Sequence, residues 1–190
     1  MNDDEILKSF DESISTLEET KKSIGIIKKI VDDITSCFNG GHKIVIFGNG
    51  GSAADSQHFA AEFIGRFCAE RKSLPAISLT TDSSNLTAIG NDYSFDDVFA
   101  RQCESLVNDG DIVIGISTSG KSNNVIRALQ TAKEKGGKTI GILGNDGGEI
   151  KNIVDTAIVI PSKSTPRIQE SHRLILHIIC DMVEKQFVNS

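Results

Sequence analysis

Tryptophan is absent from this 190-residue chain and tyrosine occurs once. Aliphatic side chains must therefore build the core. A basic surplus is missing too: 20 Lys and Arg stand against 26 Asp and Glu, a formal net charge of -6. Proteins that take nucleic acid as a main partner carry a basic face, so no nucleic-acid partner is expected. An acidic protein that binds an anion needs local positive potential, which helix N-termini supply without net positive charge. Paired cysteines are lacking: Cys37, Cys68, Cys103 and Cys180 are scattered, with no C-x-x-C. That excludes a disulfide framework and a zinc finger. It predicts reduced, mostly buried thiols and a cytoplasmic location. No apolar stretch is long enough to span a bilayer, so no membrane partner is expected. The start, Met1-Asn2-Asp3-Asp4-Glu5, has neither the basic residues nor the apolar run of a signal peptide.

What is present is a regular alternation. Apolar residues from Ile6 to Ile34 recur at near-helical spacing, which predicts helix over 4–38 with a break near Ser23-Ile24-Gly25. Asn39-Gly40-Gly41 stops it. Short β-branched runs follow at 43–47, 76–79, 112–116, 138–143 and 156–160. Helices are expected at 52–66, 95–107, 122–135 and 165–187, with short turns of helix within 80–91 and 148–152. Apolar strands separated by helices predict an α/β fold: a five-stranded parallel sheet covered on both faces. Residues 1–190 read as one domain, with 1–40 as a helical extension that packs on a neighbouring subunit or on its own core.

Ligands of open parallel sheets bind beyond the C-terminal strand ends. Three such ends are small and polar here. Gly48-Asn49-Gly50-Gly51-Ser52 runs from strand into helix, where glycines admit a close ligand and a helix N-terminus favours an anion. With Ala53 it also matches G-x-G-x-x-A, a dinucleotide alternative, although Asp82 lies too far along for the usual acidic partner. Ser117-Thr118-Ser119-Gly120-Lys121-Ser122 offers four hydroxyls and a glycine before a helix, a phosphate cradle that is not a Walker loop. A polar turn with capping serines fits the same residues. Thr80 to Ser84, followed by Gly90-Asn91-Asp92, suits sugar hydroxyls and turn chemistry equally.

Two helices carry metal-ligand residue types. His58 and Glu62 are four apart on one face, and Gln169 and His177 are eight apart on one side of the last helix. His172 between them is turned away from His177 by more than a quarter-circle. Imidazole, carboxylate and amide oxygen together suit Zn²⁺. An ordinary i,i+4 surface pair and a core histidine account for the same spacing.

Gly48 to Asp55, Ser117 to Ser122, and Thr165-Pro166-Arg167-Ile168-Gln169-Glu170-Ser171-His172 resemble the sugar isomerase (SIS) fold family. Together with His58-x-x-x-Glu62, Asn91-Asp92 and Gln169 with His177, they are more closely similar to its phosphoheptose isomerases, over nearly the whole chain. The resemblance implies a homotetramer with active sites at subunit interfaces. It implies conversion of sedoheptulose 7-phosphate to D-glycero-D-manno-heptose 7-phosphate, the first step toward activated heptose. It implies one Zn²⁺ per subunit on His58, Glu62, Gln169 and His177, with Glu62 and His177 catalytic. It implies substrate contacts from Asn49, Gly50, Gly51, Glu62, Asn91, Asp92, Ser117, Thr118, Ser119, Ser122 and Gln169. Two alternatives share the fold: a non-catalytic DnaA-binding regulator, and a module that senses a sugar phosphate without turnover. The intact Glu62 and His177 favour the enzyme.

Overall fold

A computed structural model describes residues 2–188. Helix α1 (Asp3–Thr20) opens the chain, with Asn2 as its N-cap, accepting from the Asp4 amide. The expected break is a 3₁₀ turn over Lys21–Ser23, and α2 (Ile24–Asn39) continues from it. Then come β1 (Ile44–Gly48), α3 (Gly51–Ile64), β2 (Ala76–Ser78) and α4 (Ser83–Asp92). The helix expected at 95–107 is split into a 3₁₀ turn over Phe95–Asp97 and α5 (Ala100–Leu106). The remainder is β3 (Ile112–Ser117), α6 (Asn123–Glu134), β4 (Lys138–Gly144), α7 (Ile150–Ile153), β5 (Thr156–Ile160) and α8 (Thr165–Phe187).

All strand pairings are parallel, in the order β2-β1-β3-β4-β5. Successive strand residues point to opposite faces. Ile44, Ile46, Ile112, Ile114 and Ile116 face α2, α3 and α8. Val45, Phe47 and Val113 face α5, α6 and α7. Burial on both faces explains why the strands read as unbroken apolar runs. The order reverses direction between β1 and β3, which opens a crevice at their C-terminal ends. Both glycine- and serine-rich loops leave the sheet at that crevice.

Helix α8 starts where Pro166 fixes the backbone of its first turn. It is the spine of one layer, touching α1, α2 and α3. Ser13 Oγ donates to Glu170 Oε2 at 2.8 Å, and Arg167 donates to the Ser9 carbonyl, so α1 is fastened to its own chain. Along α1, Ile6, Leu7, Phe10 and Ile14 are exposed. No helix among the described residues is long and apolar enough to cross a membrane.

All four cysteines are free; Cys37, Cys103 and Cys180 are buried and Cys68 is exposed. Burial pushes the Cys37 thiol up to about 11 and the Cys103 thiol up to about 12, and raises Cys180 as well. The thiolate is the reactive form, so these three are shielded twice. In native protein a thiol-specific reagent at neutral pH is expected to label Cys68 rapidly, and the other three only after denaturation. Rapid labelling of Cys103 in peptide mapping of native protein would contradict the core packing described.

Candidate active site

The first loop runs from β1 into α3. Gly50 has φ +54, a left-handed backbone that favours glycine. Gly51 begins α3, and a Cβ there would come within 2.5 Å of Gln169 Nε2 on α8. The absence of a side chain is what lets α8 lie this close. Asn49 does not project freely toward a ligand. Its amide exchanges reciprocal hydrogen bonds, both 2.9 Å, with the buried Asn124 in the first turn of α6. This clasp bridges the crevice and ties the glycine loop to the serine loop.

The second loop runs from β3 into α6 and gathers its hydroxyls. Ser117 Oγ lies 3.1 Å from Ser122 Oγ and accepts from the Gly120 amide at 3.1 Å. Ser119 Oγ accepts from the Lys121 amide at 3.2 Å. Asn145, itself left-handed at φ 56, donates to the Thr118 carbonyl at 2.9 Å. The Ile150 amide donates to the Gly120 carbonyl at 3.1 Å. At Gly120 (φ +65) any Cβ would collide with the Gly147 carbonyl. The loop is thus braced from behind by the segment after β4. An adjoining open cleft of about 540 Å³ is lined by Ser119, Lys121, Asn145, Asp146, Ser162 and Lys163. The Gly148 amide, and after it Lys121, hold the Asp146 carboxyl below the usual range.

Helices α3 and α8 run side by side in the same direction, and their facing residues pair in rows. Gly51 meets Gln169. Asp55 meets Arg173, whose Nε donates to Asp55 Oδ1 at 3.0 Å. His58 meets His177, with the two Nε2 atoms 3.2 Å apart. Glu62, one turn beyond His58, places Oε1 2.7 Å from the same His58 Nε2. Of the four expected metal ligands, His58 therefore meets both His177 and Glu62. Gln169 lies eight residues before His177, about 12 Å along the helix axis, with the Asp55–Arg173 pair between them. In the single chain its amide stands with Gly51 and not with the imidazoles.

The convergence has a chemical meaning. His58 Nε2 carries at most one proton in the neutral ring, yet it faces both a carboxylate oxygen and a second imidazole nitrogen. Two ligands on one tetrahedral Zn²⁺, with bonds of 2.0–2.1 Å, stand about 3.3 Å apart. The 3.2 Å between the two nitrogens fits that spacing. His58 and His177 thus suit Zn²⁺ by donor type and by this distance, and Glu62 by donor type alone, its Oε1 standing nearer His58 Nε2, at 2.7 Å, than two ligands of one ion do. Among the described residues, no group of three His, Cys, Asp or Glu side chains is arranged to hold a metal ion.

Other expected residues fall elsewhere. Asn91 and Asp92 are exposed at the end of α4, where Asn91 Nδ2 donates to Asp92 Oδ1 at 2.9 Å. Among the described contacts, none joins them to either loop. Asp82 caps α4, accepting from the Ser84 and Asn85 amides, so it is committed to the turn. His172 is fully buried, and burial holds its ring below the usual histidine range, hence neutral.

Sequence reasoning missed Asn124, the Asp55–Arg173 pair and a buried pair further down the same helices. Glu184 accepts from the amides of Phe67, Cys68 and Ala69 at 2.8, 2.7 and 2.7 Å. Arg71 Nε faces Glu184 Oε1 at 3.4 Å, with almost none of either side chain exposed. Its guanidinium donates to the carbonyls of Glu62, Phe63, Gly65 and Lys72. One signal was available: Glu184 interrupts the apolar stripe of Ile175, Leu176, Ile179, Cys180 and Val183 on α8.

Comparison with known proteins agrees with this architecture. Residues 7–144 match the family model described as SIS domain. The phosphoheptose isomerase of Geobacter sulfurreducens is 57% identical over 162 residues, covering 85% of this chain and 86% of that one. The solved phosphoheptose isomerase of Neisseria gonorrhoeae superposes with a TM-score of 0.92 at 42% identity, covering 96% of this chain and 98% of that one. That of Francisella tularensis gives a TM-score of 0.94 at 36% identity, covering 97% and 100%. The chain is an SIS-domain protein, and within that class it belongs to the phosphoheptose isomerase family of enzymes.

Burial works to raise the Glu184 carboxyl, but three amides and Arg71 outweigh it and hold it below its usual 4.5. A depressed carboxyl contributes stability that is complete above its unfolded value and lost as pH falls through the folded one. Glu184→Gln is therefore expected to be less stable than wild type by about 1.5–3 kcal/mol near neutrality. The gap should narrow as pH falls below 4.5, through the depressed folded value. Urea denaturation of both proteins across that range measures it. A gap independent of pH would show that the charge contributes nothing.

Proposed function

We propose that this chain converts sedoheptulose 7-phosphate to D-glycero-D-manno-heptose 7-phosphate by moving a proton between adjacent carbons. The observation that carries the proposal is the meeting of His58, Glu62 and His177 about two helical turns from the glycine loop. The serine loop grips the phosphate through hydroxyls and amides at the start of α6. That grip orients the far end of the sugar while its carbonyl end reaches α3 and α8.

Aldose–ketose interconversion through an enediol needs a base on carbon and an acid near the oxygens. Glu62 is the base. Its Oε1 is engaged by His58, which leaves Oε2 to take the proton from carbon. His177 is the acid toward the substrate oxygens, through Nδ1 where Nε2 would hold the ion, or from Nε2 where that nitrogen is free of it. His58, Glu62 and His177 would hold the Zn²⁺, and the ion would act as a Lewis acid on the carbonyl and hydroxyl oxygens. Gln169 joins the site from the Gly51 end.

The active assembly is a homotetramer with sites at subunit interfaces. Two features support a second copy of the chain as partner: α1 exposes Ile6, Leu7, Phe10 and Ile14, and Asn91 and Asp92 stand apart from the rest of the site within one chain.

Incubation with sedoheptulose 7-phosphate should yield the aldose product. Binding without turnover would replace the enzyme by a sensing module. Glu62→Gln should retain sugar-phosphate binding but lose turnover by at least about a hundredfold, the scale of general base catalysis. Near-normal activity in that variant would remove Glu62 as the base. Chelation should lower activity and added zinc should restore it; unchanged activity in demonstrably metal-free protein removes the ion from the reaction. Asn124→Asp should raise KM about tenfold, ~1.4 kcal/mol, because a carboxylate there repels both Asn49 Oδ1 and the phosphate. An unchanged KM would show that the clasp does not shape the cradle.

A further inference from the structure

We propose that Arg71 and Glu184 are positioning residues for the proton-transfer pair, setting Glu62 and His177 against each other without touching substrate. The proposal rests on the reading of Glu62 and His177 given above.

Every hydrogen bond and ion pair of these two side chains, beyond their contact with each other, goes to the stretch from Glu62 to Lys72. Arg71 Nη2 donates to the carbonyl of Glu62 itself at 2.7 Å, and Nη1 to that of Phe63 at 2.7 Å. These are last-turn carbonyls of α3, which lack helical partners. A guanidinium at that end also suits the helix dipole. The backbone that carries Glu62 is thereby fixed from below. Glu184 acts on the other wall. By holding the Phe67 amide at 2.8 Å it sets the Phe67 ring beside His177, with centroids 5.7 Å apart. The His58 ring flanks His177 as well, at 5.0 Å. His177 thus has both neighbouring rings defined, one by α3 and one by Glu184.

A buried ion pair is a costly way to close a loop, since apolar residues do so at least as well. It does supply direction. A planar guanidinium meets several carbonyls in fixed geometry, which a lysine cannot reproduce. The phosphate end has its own supports in Asn124, Asn145 and the Gly147 segment, none of which involves Arg71 or Glu184.

The test compares wild type, Arg71→Lys and Glu184→Gln. Turnover of sedoheptulose 7-phosphate should fall about 10- to 100-fold in kcat, the scale of losses when outer supports of a site are removed. KM should stay within about twofold. In long-range ¹H–¹⁵N spectra of the ligand-free proteins, the His177 ring resonances should move in both variants. Those of His42, which packs against Gly40 and Gly110 at the other end of the sheet, should not. A kcat within twofold of wild type in both variants overturns the proposal, as does movement of His42 together with His177, which marks general loosening. If Arg71→Lys fails to fold, Glu184→Gln carries the same comparison. If wild type does not turn over sugar phosphate, the reading of the reaction fails on its own. The ring resonances then decide whether the two residues set His177, and unmoved His177 signals overturn that.

Discussion

The arrangement depends on two helices lying parallel in one fixed register. Helices α3 and α8 both start at the C-terminal edge of the sheet and run back along it. Their facing residues meet in order: Gly51 with Gln169, Asp55 with Arg173 and His58 with His177, and beyond the end of α3 Glu184 meets the loop at Phe67. The contact needs a residue without a side chain at its first row, which is Gly51. It needs compensated charge at its second and last rows, because Asp55 and Glu184 are buried. A shift of one residue would rotate each side chain by about 100° and separate every pair. Packing of two helices within one layer of the fold is therefore also what brings the two imidazoles within 3.2 Å.

The sheet supplies the second constraint. With β1 and β3 adjacent and their following helices on opposite faces, two loops part at the crevice. Parting loops would leave a ligand with two independent walls. The Asn49–Asn124 clasp makes them one surface, each amide using a donor and an acceptor on the other. Such a pair tolerates no single-sided change, because whichever amide remained would keep an unmatched polar atom at a half-buried position.

Much of this was legible in the sequence because it is local or periodic. Strand runs such as 156–160 and the last helix, 165–187, carry their own patterns, and the structure places both within those bounds. The break before α2 was legible near Ser23, and it is a 3₁₀ turn. The second helix of the 95–107 stretch was not separable from the first, since the bend at 98–99 has no glycine or proline to mark it. His58 and Glu62 were readable as one face of one helix. The meeting of His58 with His177 was implied by the family resemblance but not by spacing, because it depends on the register of α3 against α8 across 119 residues. Arg71 was hidden for the same reason: in the sequence it is one more basic residue between Arg66 and Lys72, and only its burial distinguishes it. Asn49 was read as a residue that faces a ligand; that its side-chain amide also pairs with Asn124, 75 residues away, was not legible.

The charge balance bears on how an acidic chain would accept an anion. The serine loop contains one cation, Lys121, and Lys121 already acts on Asp146. Its other donors are neutral hydroxyls and amides at the first turn of α6. A cradle of that kind holds a phosphate by direction more than by net attraction, and it discriminates by the number of oxygens that find a donor. The cations nearer the proposed chemistry, Arg173 and Arg71, are each bound to a carboxylate of the same chain. Neither is then available to compete with the serine loop for the phosphate. A sugar phosphate entering such a cleft meets one uncompensated set of anion donors, at one end. Under the proposed function, that asymmetry would orient it with its phosphate toward α6 and its carbonyl toward the imidazoles of α3 and α8.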